Sequence, residues 1–229
     1  MPPVALHRAP AVCGQGHVQM ILNSSLCTRR HNNTGHEFLN MSELDACLEF
    51  TLKEEGGYVN DKRDPGGATN MGITLATYRS WCGNPQAEAA ELRMLSRSKI
   101  TCIYGSDYWN RLRADALPAG LDLLVFDFAV TCGTVRSARE LQTALGLPPE
   151  EIDGSVGPET LSKARLAHGS DLIAGLATRQ SLFYRVLPAF SVFGRGWLAR
   201  TERRRVRALA MAGFVPVAKV NVSPVIVPG

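Results

Sequence analysis

Leu121-Asp122-Leu123-Leu124-Val125-Phe126-Asp127-Phe128-Ala129-Val130 is apolar nearly all round when wound as a helix. A helix without a polar face has no side to give to water, so this run predicts a buried central helix. The segments around it carry helical spacing of a one-sided kind. Leu44, Cys47, Leu48, Thr51 and Leu52 form one stripe, opened by an N-cap at Ser42 with Glu43 and Asp45 in the first turn and closed at Gly56-Gly57. Thr74 can cap a helix through Tyr78 and Trp81, and Ser96 another that carries Ile100, Ile103, Tyr104 and Tyr108. Val135, Ala138, Leu141 and Leu145 mark the helix after the central one, stopped by Gly146 and two prolines. Pro158 suits a first helical position, and two more helices are expected at about 171–186 and 197–211. Only residues 58–73 read as β and turn, with a small hairpin expected around Asp64-Pro65-Gly66-Gly67. The expected fold class is mainly α (α+β), a helical body with one small β-hairpin.

Composition narrows the function classes. The chain has 229 residues, 45% hydrophobic and 20% charged, enough for one or two domains with a real core. No apolar run reaches the length of a membrane-spanning helix, so stable membrane insertion is not expected. Six cysteines at 13, 27, 47, 82, 102 and 132 form no CxxC pair, which argues against zinc-ribbon and thioredoxin chemistry. Cys47, Cys102 and Cys132 fall in apolar segments and are expected as buried free thiols. His31 and His36 lack carboxylate or thiol partners, so neither a metal nor a cofactor is expected. Residues 1–40 mix Pro, Gly, His, Asn and Ser without periodicity and read as a weakly ordered leader, with the functional chain starting near Met41. No Lys-rich start followed by an apolar core is present, so a cleavable signal peptide is not expected. The tail from Gly213 alternates Val and Pro and reads as irregular.

Candidate chemistry centres on Glu55. It lies eleven residues after Leu44, seven after Leu48 and four after Thr51, which puts it on the buried stripe at the last turn before two glycines. Glu54 points about a hundred degrees away, toward solvent. A carboxyl at the edge of an apolar face loses hydration, which favours its protonated form and suits it to donate a proton. Asp64 follows nine residues later and Asn70 six after that, and a hairpin turning at Pro65-Gly66-Gly67 would fold them back across the helix end. Two carboxyls on one cleft are the minimum equipment for breaking a glycosidic bond, one protonating the leaving oxygen and the other supporting the cationic centre or activating water. Asp61 competes with Asp64 for the second role. Tyr58 follows directly and could stack on a sugar face. Trp109 and Trp197 sit on apolar stripes and read as core.

The run Glu55-Gly56-Gly57-Tyr58-Val59-Asn60-Asp61, then Asp64-Pro65-Gly66-Gly67-Ala68-Thr69-Asn70 and Gly72-Ile73-Thr74, resembles glycoside hydrolase family 108. The likeness continues through Ile103-Tyr104, Tyr108-Trp109, Val125-Phe126-Asp127-Phe128-Ala129-Val130, Leu141-Gln142, Asp153-Gly154, Gly157-Pro158 and Gly196-Trp197-Leu198, roughly residues 43–212. That family contains phage-type N-acetylmuramidases and secretion activator proteins. The resemblance implies a lysozyme-like fold, Glu55 as catalytic acid with Asp64 as second carboxylate, and substrate contacts from Tyr58, Asn70, Thr74 and Thr131. Asn70 stands where many phage lysozymes carry Thr, and Thr131-Cys132-Gly133 departs from the family's usual Asn, small residue and Gly. The implied layout is a catalytic half at 41–132 and a peptidoglycan-binding-like half at 133–212 packed on it, with the tail at 213–229. The implied activity is hydrolysis of the β-1,4 bond between N-acetylmuramic acid and N-acetylglucosamine. The alternatives are a lytic transglycosylase and a non-catalytic wall-binding or secretion-assisting protein. The implied partners are peptidoglycan glycan strands and a holin or export system that carries a protein made in the bacterial cytoplasm to the wall.

Charge adds one further expectation. The formal net charge is +4, of which residues 1–40 hold +2 (three Arg, one Glu), while residues 195–207 alone hold six Arg and one Glu. Such a helix face could bind acidic wall polymer or a membrane surface, or be merely solvated. It has no aromatic interleaving of a nucleic-acid motif, so nucleic acid is not expected as a partner.

Overall fold

Residues 121–129 are all buried, so the central helix α5 (Leu121–Cys132) is the axis around which the rest packs. The computed structural model describes residues 42–60, 67–167 and 169–214. The remaining helices are α1 (Glu43–Glu55), α2 (Leu75–Cys82), α3 (Ala89–Arg93), α4 (Arg97–Tyr104), α6 (Thr134–Ala144), α7 (Pro158–Leu166), α8 (Ser170–Arg185) and α9 (Phe190–Met211). Helices α1, α6, α8 and α9 all pack on α5. Each large side chain that α5 buries, such as Leu123 or Phe126, contributes about 1.5–3 kcal/mol. Polar side chains tie the cage to its axis: Ser137 Oγ donates to the Val125 carbonyl (2.6 Å), and Gln180 Nε2 to that of Leu124 (3.0 Å). At the start of α5, Gly120 has φ +84°, and a Cβ there would lie 2.2 Å from the Ala208 carbonyl oxygen. Only glycine lets α9 approach that closely.

The helix starts follow the capping residues. Ser42 Oγ accepts from Asp45 N–H (3.1 Å), Thr74 Oγ1 from Thr77 N–H (3.1 Å), and Ser96 Oγ from Lys99 N–H (3.4 Å). Pro158 occupies the first turn of α7. Two boundaries differ from expectation. The stretch through Tyr108 is not one α-helix: after Tyr104 it widens, with Asn110 N–H bonding the Gly105 carbonyl five residues back (2.9 Å). Helix α9 begins at Phe190, seven residues before the expected 197, because Gly194 is not a stop. A Cβ on Gly194 would meet the Phe190 ring at 2.5 Å, so this glycine lets the ring lie against the helix.

The single small sheet among the described residues is β1 (Thr69–Asn70) paired antiparallel with β2 (Ile73–Thr74). It turns at Met71-Gly72, both with positive φ (46° and 77°), the two-residue geometry whose twist matches the strands. The expected turn at Pro65-Gly66-Gly67 lies largely outside the described residues, as do Asp61 and Asp64. Val59 also pairs with Thr69 through two 2.8 Å backbone bonds, which brings the chain after α1 back to the hairpin. The architecture is mainly α and lysozyme-like, with one β-hairpin.

Residues before and after Gly133 share one hydrophobic cluster, from Cys47 to Leu209. Only Gly133 separates α5 from α6. Cys47 is a buried free thiol and Cys132 a half-buried one, whereas Cys102 is disulfide-bonded, which corrects the expectation of a free thiol there. Trp109 is core, edge-on to Phe126 at 5.5 Å. The leader, with His31 and His36, and the tail from 215 fall outside the described residues.

Asp122 is buried at the start of α5, accepting from Leu123 N–H (2.6 Å) and from the Cys47 thiol. Burial pushes its carboxyl up to about 6 despite those bonds. A raised carboxyl supports the fold fully below the unfolded value of about 4 and withdraws that support as pH rises through about 6. Asp122→Asn should therefore gain up to about 3 kcal/mol relative to wild type between pH 4 and pH 8. Urea melts at the two pH values test this, and a constant difference would contradict it.

Candidate active site

Three elements bring the site together: the end of α1, the hairpin turn, and the middle of α9 over α5. Glu55 is the last residue of α1 and its side chain is 16% exposed. The hairpin turn closes on it, since a Cβ at Gly72 would lie 3.0 Å from Glu55 Oε2 and 2.6 Å from Tyr104 Oη. Tyr104 is buried and donates to the Met71 carbonyl (2.7 Å), which pins the turn in place. Burial, and then the neighbouring Glu55 carboxylate, hold the Tyr104 phenol protonated well above its ordinary range.

Glu55 is not set against an apolar wall, as its stripe position suggested. Its Oε1 accepts from Arg200 Nη1 at 2.8 Å. Arg200 is itself clamped by Asp127, through Nε (3.1 Å) and Nη2 (2.7 Å). Asp127 is wholly buried and also takes Arg204 Nη1 (2.6 Å) and Thr51 Oγ1 (2.9 Å). Burial alone would raise the Asp127 carboxyl, but the two guanidinium groups outweigh it and hold the carboxyl far below its usual range. Arg204 is fully buried over the Phe128 ring and reaches Gln180 Oε1 (2.9 Å). Two carboxylates and two guanidinium groups thus form a neutral chain from the core to the carboxyl of Glu55.

The same contacts recast the basic run at 195–207. Arg200 and Arg204 serve Glu55 and Asp127, Arg203 makes a bidentate pair with Glu54 (2.7 and 2.6 Å), and Arg205 pairs with Glu202. Four of its six arginines neutralise acids of this chain. Glu54 was expected in solvent, yet Arg203 covers it and leaves 11% of its side chain exposed.

The remaining sequence candidates disperse around this centre. Tyr58 is half-buried, with the Arg93 guanidinium 5.5 Å over its ring. Asn70 is buried, and its amide nitrogen donates to the Leu92 (2.9 Å) and Arg93 (3.4 Å) carbonyls at the end of α3. That nitrogen is committed to a helix end. Thr74 joins the hairpin to α2 as its cap. Thr131 is exposed, one turn after Asp127 on α5, and bonds to Tyr184 Oη (2.8 Å). Asp64 and Asp61 lie outside the described residues. Among the described residues, no group of His, Cys, Asp and Glu could hold a metal ion.

A family model described as Glycosyl hydrolase 108 matches residues 48–133. The structure of SagA from Brucella abortus is 40% identical, covers 74% of this chain and 95% of its own, and superposes with a TM-score of 0.65. The chain belongs to glycosyl hydrolase family 108. Membership makes it a lysozyme-like, peptidoglycan-related protein. No curated protein matches the chain. The part matched to the family 108 model contains Glu55 and Asp127 but ends before Arg200, which comes from α9.

Asp127 was quoted in the sequence only as part of a motif, and Arg200 and Arg204 only as part of a basic run. One signal for their pairing was present: Arg200 and Arg204 are four apart on one helix face, so both can reach a single carboxylate. Asp127→Ala strands two buried or nearly buried guanidinium groups. It should cost about 3–5 kcal/mol, read as a lowered urea midpoint, and a loss under 1 kcal/mol would contradict the network's role.

Proposed function

We propose that this protein is an N-acetylmuramidase that hydrolyses the β-1,4 bond between N-acetylmuramic acid and N-acetylglucosamine, with Glu55 as general acid. The observation that carries the reading is the placement of Glu55. The only carboxylate that the hairpin turn and Arg200 jointly address among the described residues, it lies part-exposed at a helix end. In the proposed step the protonated Glu55 gives its proton to the glycosidic oxygen as the bond from that oxygen to the sugar's anomeric carbon breaks. Arg200 balances the carboxylate left behind. Asp64 is proposed as the second carboxylate, supporting the cationic sugar or activating the water that ends the reaction. Action on the wall after release from the cytoplasm belongs to the same proposal.

The Arg200–Glu55 ion pair favours a second reading. One oxygen of Glu55 is already taken by the Arg200 guanidinium, as suits a wall-binding protein without turnover. Digesting purified sacculi with wild type and Glu55→Gln separates the two. The hydrolase releases reducing muramic ends, and the variant binds sacculi without clearing them. Product 1,6-anhydro ends, one water lighter, would instead mark a transglycosylase. Unchanged clearing by Glu55→Gln would remove Glu55 from the chemistry.

Arg200 holds the acid in place, so its loss should act on turnover more than on binding. Arg200→Gln is expected to lower kcat about 100-fold with little change in KM, and Arg200→Lys to restore part of it. Equal effects of both variants on KM would contradict a positioning role.

A further inference from the structure

Trp197 does not behave as the core residue its sequence position suggested. It lies on α9 one turn before Arg200, and it is half-buried where its stacking partner Tyr184 (ring centroids 5.2 Å apart) is buried. Phe193, one turn earlier still, approaches its ring at 5.9 Å. The indole N–H donates to nothing among the described residues. On α5, Thr131 stands one turn beyond Asp127, as Trp197 on α9 stands one turn before Arg200, the partner of Asp127. Tyr184 links Trp197 and Thr131, stacking on one and hydrogen-bonding the other.

Thr131 Oγ1 has one proton and two internal partners that can accept it, the Phe128 carbonyl (3.0 Å) and Tyr184 Oη (2.8 Å), with the Cys132 thiol also in reach (3.5 Å). Either way that proton is used inside the protein. The exposed Thr131 oxygen therefore offers solvent only an acceptor, and the indole of Trp197 offers only a donor. An acetamido group presents the complementary set, one N–H and one carbonyl.

We propose that Trp197 and Thr131 form a glycan subsite beside the Arg200–Glu55 pair, specific for a 2-acetamido sugar whose carbonyl accepts from the indole N–H and whose N–H donates to Thr131. The subsite deepens the muramidase reading and rests on it for its role in catalysis. Its binding can be measured without turnover.

The test titrates the β-1,4 tetramer of N-acetylglucosamine, with cellotetraose as the neutral control lacking acetamido groups, into the full chain. The indole cross-peak of Trp197 should move with the tetramer while that of buried Trp109 stays. Trp197→Phe keeps the stack on Tyr184 and removes only the donor, so it should bind the tetramer about fivefold to tenfold more weakly and leave cellotetraose unchanged. Thr131→Val, with the Trp197 signal intact, provides the second arm with a similar loss. A stationary Trp197 cross-peak, unchanged affinity in Trp197→Phe, or a wild type that binds neither oligomer would overturn the subsite. Tetramer binding through Trp197 together with full clearing of sacculi by Glu55→Gln would instead overturn the catalytic reading and leave the subsite standing.

Discussion

A carboxylate buried at the middle of the central helix is the constraint on which the structure turns. Asp127 sits at the centre of α5 with no access to water, and an unpaired charge there would cost more than a domain's whole margin of stability. The chain answers with two arginines from α9, a hydroxyl from α1 and a glutamine from α8 on the second arginine. Those partners come from three separate helices, so satisfying one carboxylate fixes how the helices cross. Arg200 has donors left over, and the carboxyl that takes one of them is Glu55. The candidate site is thus the outer end of a network whose inner end is structural.

Much of the fold could be read from residues taken singly or at short range. The central helix followed from an apolar run, and the starts of α1, α2, α4 and α7 from Ser42, Thr74, Ser96 and Pro158. The failures share a cause, which is that they were decided by distant contacts. Gly194 looks like a helix stop until the Phe190 ring is laid against it. The further turn at Met71-Gly72 has no run of turn residues like that at Pro65-Gly66-Gly67, which lies largely outside the described residues. The Met71-Gly72 turn owes its place to Tyr104 and Glu55 pressing on Gly72, contacts that sequence spacing does not show.

The site was legible in the same proportion. Glu55 came from helical periodicity and motif together, whereas its environment did not, because the residue that touches it lies 145 positions away. Arg200 was visible only as one of six arginines in a basic run. Charge counting along the chain treated that run as a surface, although most of it is spent within the molecule. Asn70 shows the reverse error: a polar residue at motif spacing turned its amide toward the end of α3. Residue type and spacing identify what chemistry is on hand, and only packing says where each polar group is used.

The Arg200–Glu55 contact also has a meaning in time. It joins α1 to α9, the first and last helices among the described residues, so it cannot form before α9 has been synthesised. During synthesis the segment up to Gly133 emerges with Asp127 uncompensated and Glu55 unheld, so the first half cannot settle into the site it encodes. Long-range closures of this kind come late in folding, after local helices have formed. The contact that completes the site is therefore among the last that a chain growing from its N-terminus can make.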